Sequence, residues 1–152
     1  MPRVRAAVTL PGLASEAEAL WYDPQRWPAW VDGFGHLSKL EGEWPAPGAR
    51  AVWDSRPGGR GRVVERVTAY EARSGQTLAV EDEKVNGTQK VVFEPGPDGV
   101  EIALELEYEI KHANVFTPLT DLLFIRRALR DSLKRSLIRF ARERRSDLEQ
   151  GA

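Results

Sequence analysis

VEIALELEYEIKHANVFTPLTDLLFIRRALRDSLKRSLIRF, residues 100 to 140, changes its hydrophobic period once, and that change decides the fold. Up to His112, the even positions carry Val100, Ile102, Leu104, Leu106, Tyr108 and Ile110, while the odd ones carry Glu101, Ala103, Glu105, Glu107, Glu109 and Lys111. A period of two predicts a strand over 100–112 with one face on a core and the other in water. Beyond Pro118 the apolar residues Leu122, Ile125, Leu129, Leu133, Leu137 and Phe140 recur at three- and four-residue steps. This predicts an amphipathic helix of about thirty residues, capped by Thr117 with Pro118 in its first turn.

Upstream, from about 34 to 112, the chain reads as strands separated by turn chemistry. RPGGRG (56–61), ARSGQ (72–76), VNGT (85–88) and PGPDG (95–99) mark the breaks. Asn86-Gly87 suits a two-residue type I′ hairpin turn. Segments of about 8–12 residues between such breaks predict consecutive antiparallel pairing in a meander.

The N-terminal third supplies one more strand, RVRAAVTL (3–10), and then two short helices over 15–32. Ser15 with Glu18 reads as a capping box. Asp23 followed by Pro24 restarts a helix, and Pro28 limits its length. The stretch WYDPQRWPAW (21–30) places Trp21, Trp27 and Trp30 at this bend. Trp21 is expected in the core, with Trp27 and Trp30 wedged at the mouth of the sheet.

The 152 residues bound the class. They read as a single domain, 1–152, with residues from about 147 a frayed tail. With no cysteine, disulfides, thiolate catalysis and cysteine-based zinc sites are excluded. Neither a signal peptide nor a membrane-spanning run is present, so the expected location is cytoplasmic. The net charge of −1 argues against general nucleic-acid binding but hides an asymmetry. Residues 117–145 hold nine Lys/Arg, among them Arg126, Arg130 and Lys134, against Asp121, Asp131 and Glu143, leaving +6. A solvated helix face opposite a glutamate-rich sheet accounts for this, while docking on a membrane surface or a protein partner is the alternative.

The fold class is therefore α+β: a curved antiparallel sheet of six to seven strands wrapped around the long C-terminal helix, with two short helices after the first strand. This order of elements, carried by WYDPQRWPAWVDG (21–33), GRVVERVTAYEARSGQTLAVED (61–82), GTQKVVFEP (87–95) and the closing helix, resembles the START-like superfamily. That superfamily is also known as the helix-grip or birch-pollen-allergen fold. The likeness is greatest to its bacterial polyketide cyclase/dehydrase and lipid-transport branch (SRPBCC).

The resemblance implies an apolar ligand held between sheet and helix. Strand parity then nominates Trp53, Val63, Val67, Leu78, Val80, Val91, Phe93, Leu104, Leu106 and Tyr108 as cavity lining, with Val64 and Tyr70 competing for the inward face in RVVERVTAY (62–70). Leu122, Ile125, Leu129 and Leu133 close the cavity from the helix, and Trp27 and Trp30 form its rim. The expected function is binding or transport of a small hydrophobic molecule: a lipid, an isoprenoid or a polyketide-like aromatic. The alternative is a polyketide cyclase/dehydrase-type enzyme acting in the same cavity, with Glu65, Asp82, Tyr108 and His112 as inward-parity candidates for proton transfer. No catalytic motif is recognisable, since His36 and His112 lack metal-type spacing, there is no G-x-S-x-G elbow, and GGRG (58–61) lacks the lysine of a phosphate loop. No metal and no cofactor are expected. The ligand's identity and the oligomeric state lie beyond the sequence.

Overall fold

The computed structural model describes residues 1–151 and consists of one seven-stranded antiparallel sheet with helices packed on one face. The chain runs β1 (Arg3–Leu10), α1 (Ala14–Trp21), a 3-10 turn (Pro24–Arg26), α2 (Trp27–Trp30), β2 (Phe34–Glu41), β3 (Arg50–Ser55), β4 (Arg62–Glu71), β5 (Gly75–Glu81), β6 (Val85–Gly96), β7 (Gly99–Ile110) and α3 (Leu119–Gln150). The strand order is β1-β7-β6-β5-β4-β3-β2, so β2 through β7 form the meander read from the sequence. β1 closes the other edge by pairing with β7, Val4 opposite Leu106 and Leu10 opposite Val100.

Alternation along β7 places Val100, Ile102, Leu104, Leu106 and Tyr108 at 3% exposure or less, facing the helices. Its glutamates on the other face meet the arginines of β1, as in the pair Arg3–Glu107. Parity in β4 follows Val63 and Val67, both buried, and puts Glu65 on the same inward side.

Several local expectations are corrected. Asn86-Gly87 lies inside β6, with Gly87 opposite both Val80 and Tyr108. The β5–β6 turn is instead built by Asp82, whose Oδ1 accepts the backbone N–H groups of Lys84 and Val85 at 2.8 and 2.9 Å. A side-chain carboxylate that satisfies two turn donors replaces the φ-permissive glycine that a type I′ turn needs. At α1 the N-cap is Leu13 rather than Ser15, and Glu16 rather than Glu18 reaches back, accepting the Leu13 N–H at 3.0 Å.

Pro28 sits in the first turn of α2, where its missing N–H costs nothing, so it opens that helix rather than ending it. Asp23 does start the preceding turn, its Oδ1 accepting from the Gln25 N–H at 3.0 Å. The third helix has Pro118, which carries no side-chain acceptor, at its N-cap, and the Thr117 hydroxyl instead accepts the Asn114 N–H at 2.9 Å. At its far end α3 continues to Gln150, and Asp147 pairs with Arg26 at 2.9 Å.

The long helix grips the fold through one half only. Its buried residues are Leu133, Ser136, Leu137, Phe140, Ala141 and Arg144, all from the middle of the helix onward, packed against β1 and the short helices. Ion pairs fix this docking: Asp32, after α2, meets Arg135 and Arg139 at 3.1 Å, and Arg26 meets Glu143 at 3.0 Å. The N-terminal half, from Leu119 to about Ser132, overhangs one end of the sheet with Leu122, Ile125 and Leu129 only half-buried.

Candidate functional site

Two spaces lie between the concave face and the helices. The inner one is a chamber of about 70 Å³ lined by Trp21, Trp27, Trp30, Trp44 and Trp53, the chain's five tryptophans. Trp21, Trp27 and Trp30 are each at least nine-tenths buried. The bend read in 21–30 is thus a wall as well as a plug. Trp21 and Trp30 pack with ring centroids 4.4 Å apart, and both meet Phe140 of α3 at 5.1 Å. The Trp27 Nε1 donates to the Trp21 carbonyl at 2.9 Å, satisfying a helix-end acceptor and fixing the ring. Phe34 stacks on Trp53 at 5.0 Å.

The chamber also has polar walls: Glu65, Gln76, Gln89 and Ser136. The Trp53 Nε1 donates to Glu65 Oε1 at 2.6 Å. Burial raises the affinity of the Glu65 carboxyl for its proton, while the Trp53 hydrogen bond and the positive charge of Arg60 act in the opposite direction. The net shift is upward.

The outer space is an open groove of about 330 Å³ beneath the overhanging half of α3. Phe124, Ile125, Ala128 and Leu129 form its roof, and Leu106, Val85 and the Gly58–Arg60 loop form its floor and side. Between the two spaces stands a short relay. The Arg60 guanidinium, on the groove side, lies 5.5 Å from the centroid of the Trp53 ring on the chamber side. Its Nε donates to Asp82 Oδ2 at 2.8 Å. Leu133 touches both spaces.

Of the residues nominated from sequence, Trp27, Trp30, Trp53, Leu78, Leu104 and Leu133 line the chamber. Leu106, Ile125, Leu129 and Leu133 line the groove. Val63, Val67, Val80, Val91, Phe93 and Tyr108 belong instead to the packed core, each 5% exposed or less. The Trp21 ring fills the volume over Phe93, 6.1 Å away, that a parity argument leaves open. Leu122 is half-buried outside both linings.

The four candidates for proton transfer do not converge. Asp82 is 4% exposed and spends its oxygens on its turn and on Arg60. His112 is exposed in the turn after β7. Tyr108 lines neither space, and only Glu65 faces the chamber.

Sequence reasoning missed Trp44, Gln76, Gln89, Ser136 and Arg60. The signal for Trp44 was its type alone, because it sits in the β2–β3 loop outside any strand parity. The Gln76 Nε2 ties that loop down by donating to the Pro45 carbonyl at 3.2 Å.

Residues 1–144 match the family model described as polyketide cyclase / dehydrase and lipid transport. The chain belongs to that family. The family and fold resemblance read from the sequence is therefore correct. This member of the polyketide cyclase/dehydrase and lipid-transport family shares its architecture with several solved structures. TTHA0849 from Thermus thermophilus is 18% identical with a TM-score of 0.78, covering 96% of this chain and 99% of that one. SA2116 from Staphylococcus aureus is 8% identical with a TM-score of 0.71, covering 97% and 96%. DynU16, from the dynemicin biosynthetic locus, is 20% identical with a TM-score of 0.67, covering 98% of this chain but 48% of its own. At such identities the likeness shows the fold alone. No curated protein matches the sequence. Among the described residues of this family member, no helix is long and apolar enough to cross a membrane.

Proposed function

We propose that the protein binds or carries a small hydrophobic molecule, of the lipid, isoprenoid or polyketide-like aromatic class, with its apolar body in the groove beneath α3. The observation that carries this reading is the groove itself. About 330 Å³ of space opens onto Leu106, Ile125, Leu129 and Leu133, within the range of small-molecule sites. The inner chamber, at about 70 Å³, has room for a few waters or one end of a ligand, not for a whole lipid. Its tryptophans would then surround whatever group passes the Arg60–Trp53 wall.

The test is titration with 1-anilinonaphthalene-8-sulfonate, followed by energy transfer from the tryptophans. Binding is expected, and Ala128→Trp, which fills the groove at its roof, should weaken it at least about tenfold, the scale of a lost apolar contact. Equal binding by wild type and the filled variant would remove the groove from consideration. Native mass spectrometry of the freshly purified protein would identify any resident small molecule.

A second reading, a cyclase/dehydrase-type enzyme, is favoured by one observation. Glu65 is a carboxyl group with raised proton affinity, held by Trp53 inside an aromatic chamber. Such a group can deliver or accept a proton at a substrate carbonyl or its α-carbon. Incubating a poly-β-ketone with wild type and Glu65→Gln, and comparing the cyclised products, tests it. Identical product profiles would sink the enzymatic reading and leave the binding one intact.

A further inference from the structure

The β7–α3 loop and the first turns of α3 expose apolar side chains to an unusual degree: Val115 92%, Phe116 89%, Leu119 68%, Leu123 55% and Phe124 73%. Single exposed apolar residues need no explanation, but a contiguous set marks an interaction surface. This set is presented by a built turn. Asn114 Oδ1 accepts the Phe116 N–H at 2.8 Å, the Thr117 hydroxyl oxygen accepts the Asn114 N–H at 2.9 Å, and the Thr117 N–H reaches the Asn114 carbonyl at 3.0 Å. Val115 and Phe116 are held outward at its apex.

The helix that follows adds charge on the same side. Leu119 and Leu123 share their helical face with Arg127, Arg130 and Lys134, at steps of three and four, and Arg126 flanks it. All four cations are exposed. Among the described residues Arg126, Arg130 and Lys134 have no ion-pair partner, and Arg127 reaches only Asp131, at 4.0 Å. Further along α3, three arginines serve the fold: Arg135 and Arg139 hold Asp32, and Arg144 meets Glu16 at 3.2 Å, while Arg142 and Arg145 are exposed. Beside the apolar tip, the cations of α3 face outward with at most one weak contact within the helix, whereas Arg135, Arg139 and Arg144 hold other elements.

We propose that the Val115–Leu123 tip inserts into the headgroup region of an anionic lipid bilayer, with Arg126, Arg127, Arg130 and Lys134 lying on the phosphates. An apolar tip backed by a cationic stripe supplies the two signals that reversible membrane docking requires. A nucleic acid would meet the cations but leave Val115, Phe116 and Leu119 unburied. A second copy packed about a two-fold axis would set the same cations against each other. The surface stands independently of the ligand reading. Phe124 also forms one edge of the groove, so docking by this tip turns the groove's mouth toward the bilayer.

The experiment is flotation of the full chain with vesicles of phosphatidylcholine alone and of phosphatidylcholine mixed with phosphatidylglycerol. The protein should float with the mixed vesicles at low salt and release as salt rises. At about fivefold per cation, the triple variant Arg126→Glu, Arg130→Glu, Lys134→Glu should lose about a hundredfold in partitioning or more. Phe116→Asp with Leu119→Asp should abolish it while leaving circular dichroism and dye binding in the groove unchanged, because both side chains are exposed and outside the groove lining. Failure of wild type to float with anionic vesicles, or undiminished flotation of either variant, would overturn the proposal. So would concentration-dependent dimerisation lost in Phe116→Asp, or binding of single-stranded RNA that survives it, each occurring without flotation.

Discussion

Trp53 and Glu65 face the chamber from adjacent strands, the indole Nε1 2.6 Å from the carboxylate Oε1. Trp53 pairs with Val63 across β3 and β4, so Glu65, two residues further along, falls on the same inward face. Burial has raised its proton affinity above the ordinary carboxylate value of 4.5. The folded protein then holds this proton when the unfolded chain has released it. The stabilising contribution is fully present below about pH 4.5 and is lost as pH rises through the folded value. Glu65→Gln, which stays neutral and can still accept from Trp53, should flatten this decline in urea melts run at several pH values. Glu65→Ala should cost about 1–3 kcal/mol by leaving the indole N–H without a partner. Parallel pH profiles for wild type and Glu65→Gln would contradict the assignment.

Asp32 behaves with the opposite sign. Burial opposes its ionisation, but hydrogen bonds from Arg135 and Ser132, with the charges of Arg135 and Arg139, hold its carboxyl below the usual 3.8. Its stabilising contribution is present above that value and disappears as pH falls through the lower, folded one. Asp32→Asn should cost about 2 kcal/mol at neutral pH, the scale of a lost charge-assisted hydrogen bond, and shift the acid limb of the stability curve. An unchanged acid limb would mean that α2 is not fastened to α3 through this residue.

The Arg60–Asp82 pair should couple energetically. Arg60→Met leaves the nearly buried Asp82 carboxylate with its two turn N–H donors but no counter-charge. A loss of about 1–3 kcal/mol is expected, below the figure for a fully buried pair because Arg60 keeps some solvent contact. In a double-mutant cycle with Asp82→Asn the two effects should be non-additive by about 1 kcal/mol or more. Simple additivity would show that the turn alone accounts for Asp82.

Gly87 is required by close backbone approach. A Cβ there would collide with the Glu107 carbonyl oxygen of the neighbouring strand, whereas one at Gly96 meets nothing within 4 Å. Gly87→Ala should cost about 1–3 kcal/mol in chemical denaturation, and Gly96→Ala close to nothing. Equal effects at the two sites would show that β6 and β7 can separate locally without penalty.

How far the sequence carried differs from element to element. The even-position residues of β7 and the three- and four-residue steps of α3 were legible because each period reports directly which element forms and which of its faces is apolar. Asn86-Gly87 misled because a turn signal is local, while the register of β6 against β5 and β7 is collective. The carboxylate of Asp82 took over the turn, and Gly87 served the sheet. Glu65 could be placed inward by parity, but its bond to Trp53 could not, since that depends on the pairing of β4 with β3.

What the sequence by itself determined is the architecture: an antiparallel meander, a first strand with two short helices, and a long closing helix, fixed by periodicity and by Pro and Asp at the bend. Tertiary structure alone decided that Trp44, from a loop, joins Trp21, Trp27, Trp30 and Trp53 around one chamber. It also decided that α3 grips with only its C-terminal half, leaving a groove and an exposed tip at the other. Hydrophobic period records that a residue has an apolar side. Whether that side meets a core, an open groove or solvent depends on which element arrives to cover it, and that depends on packing between segments distant in the chain.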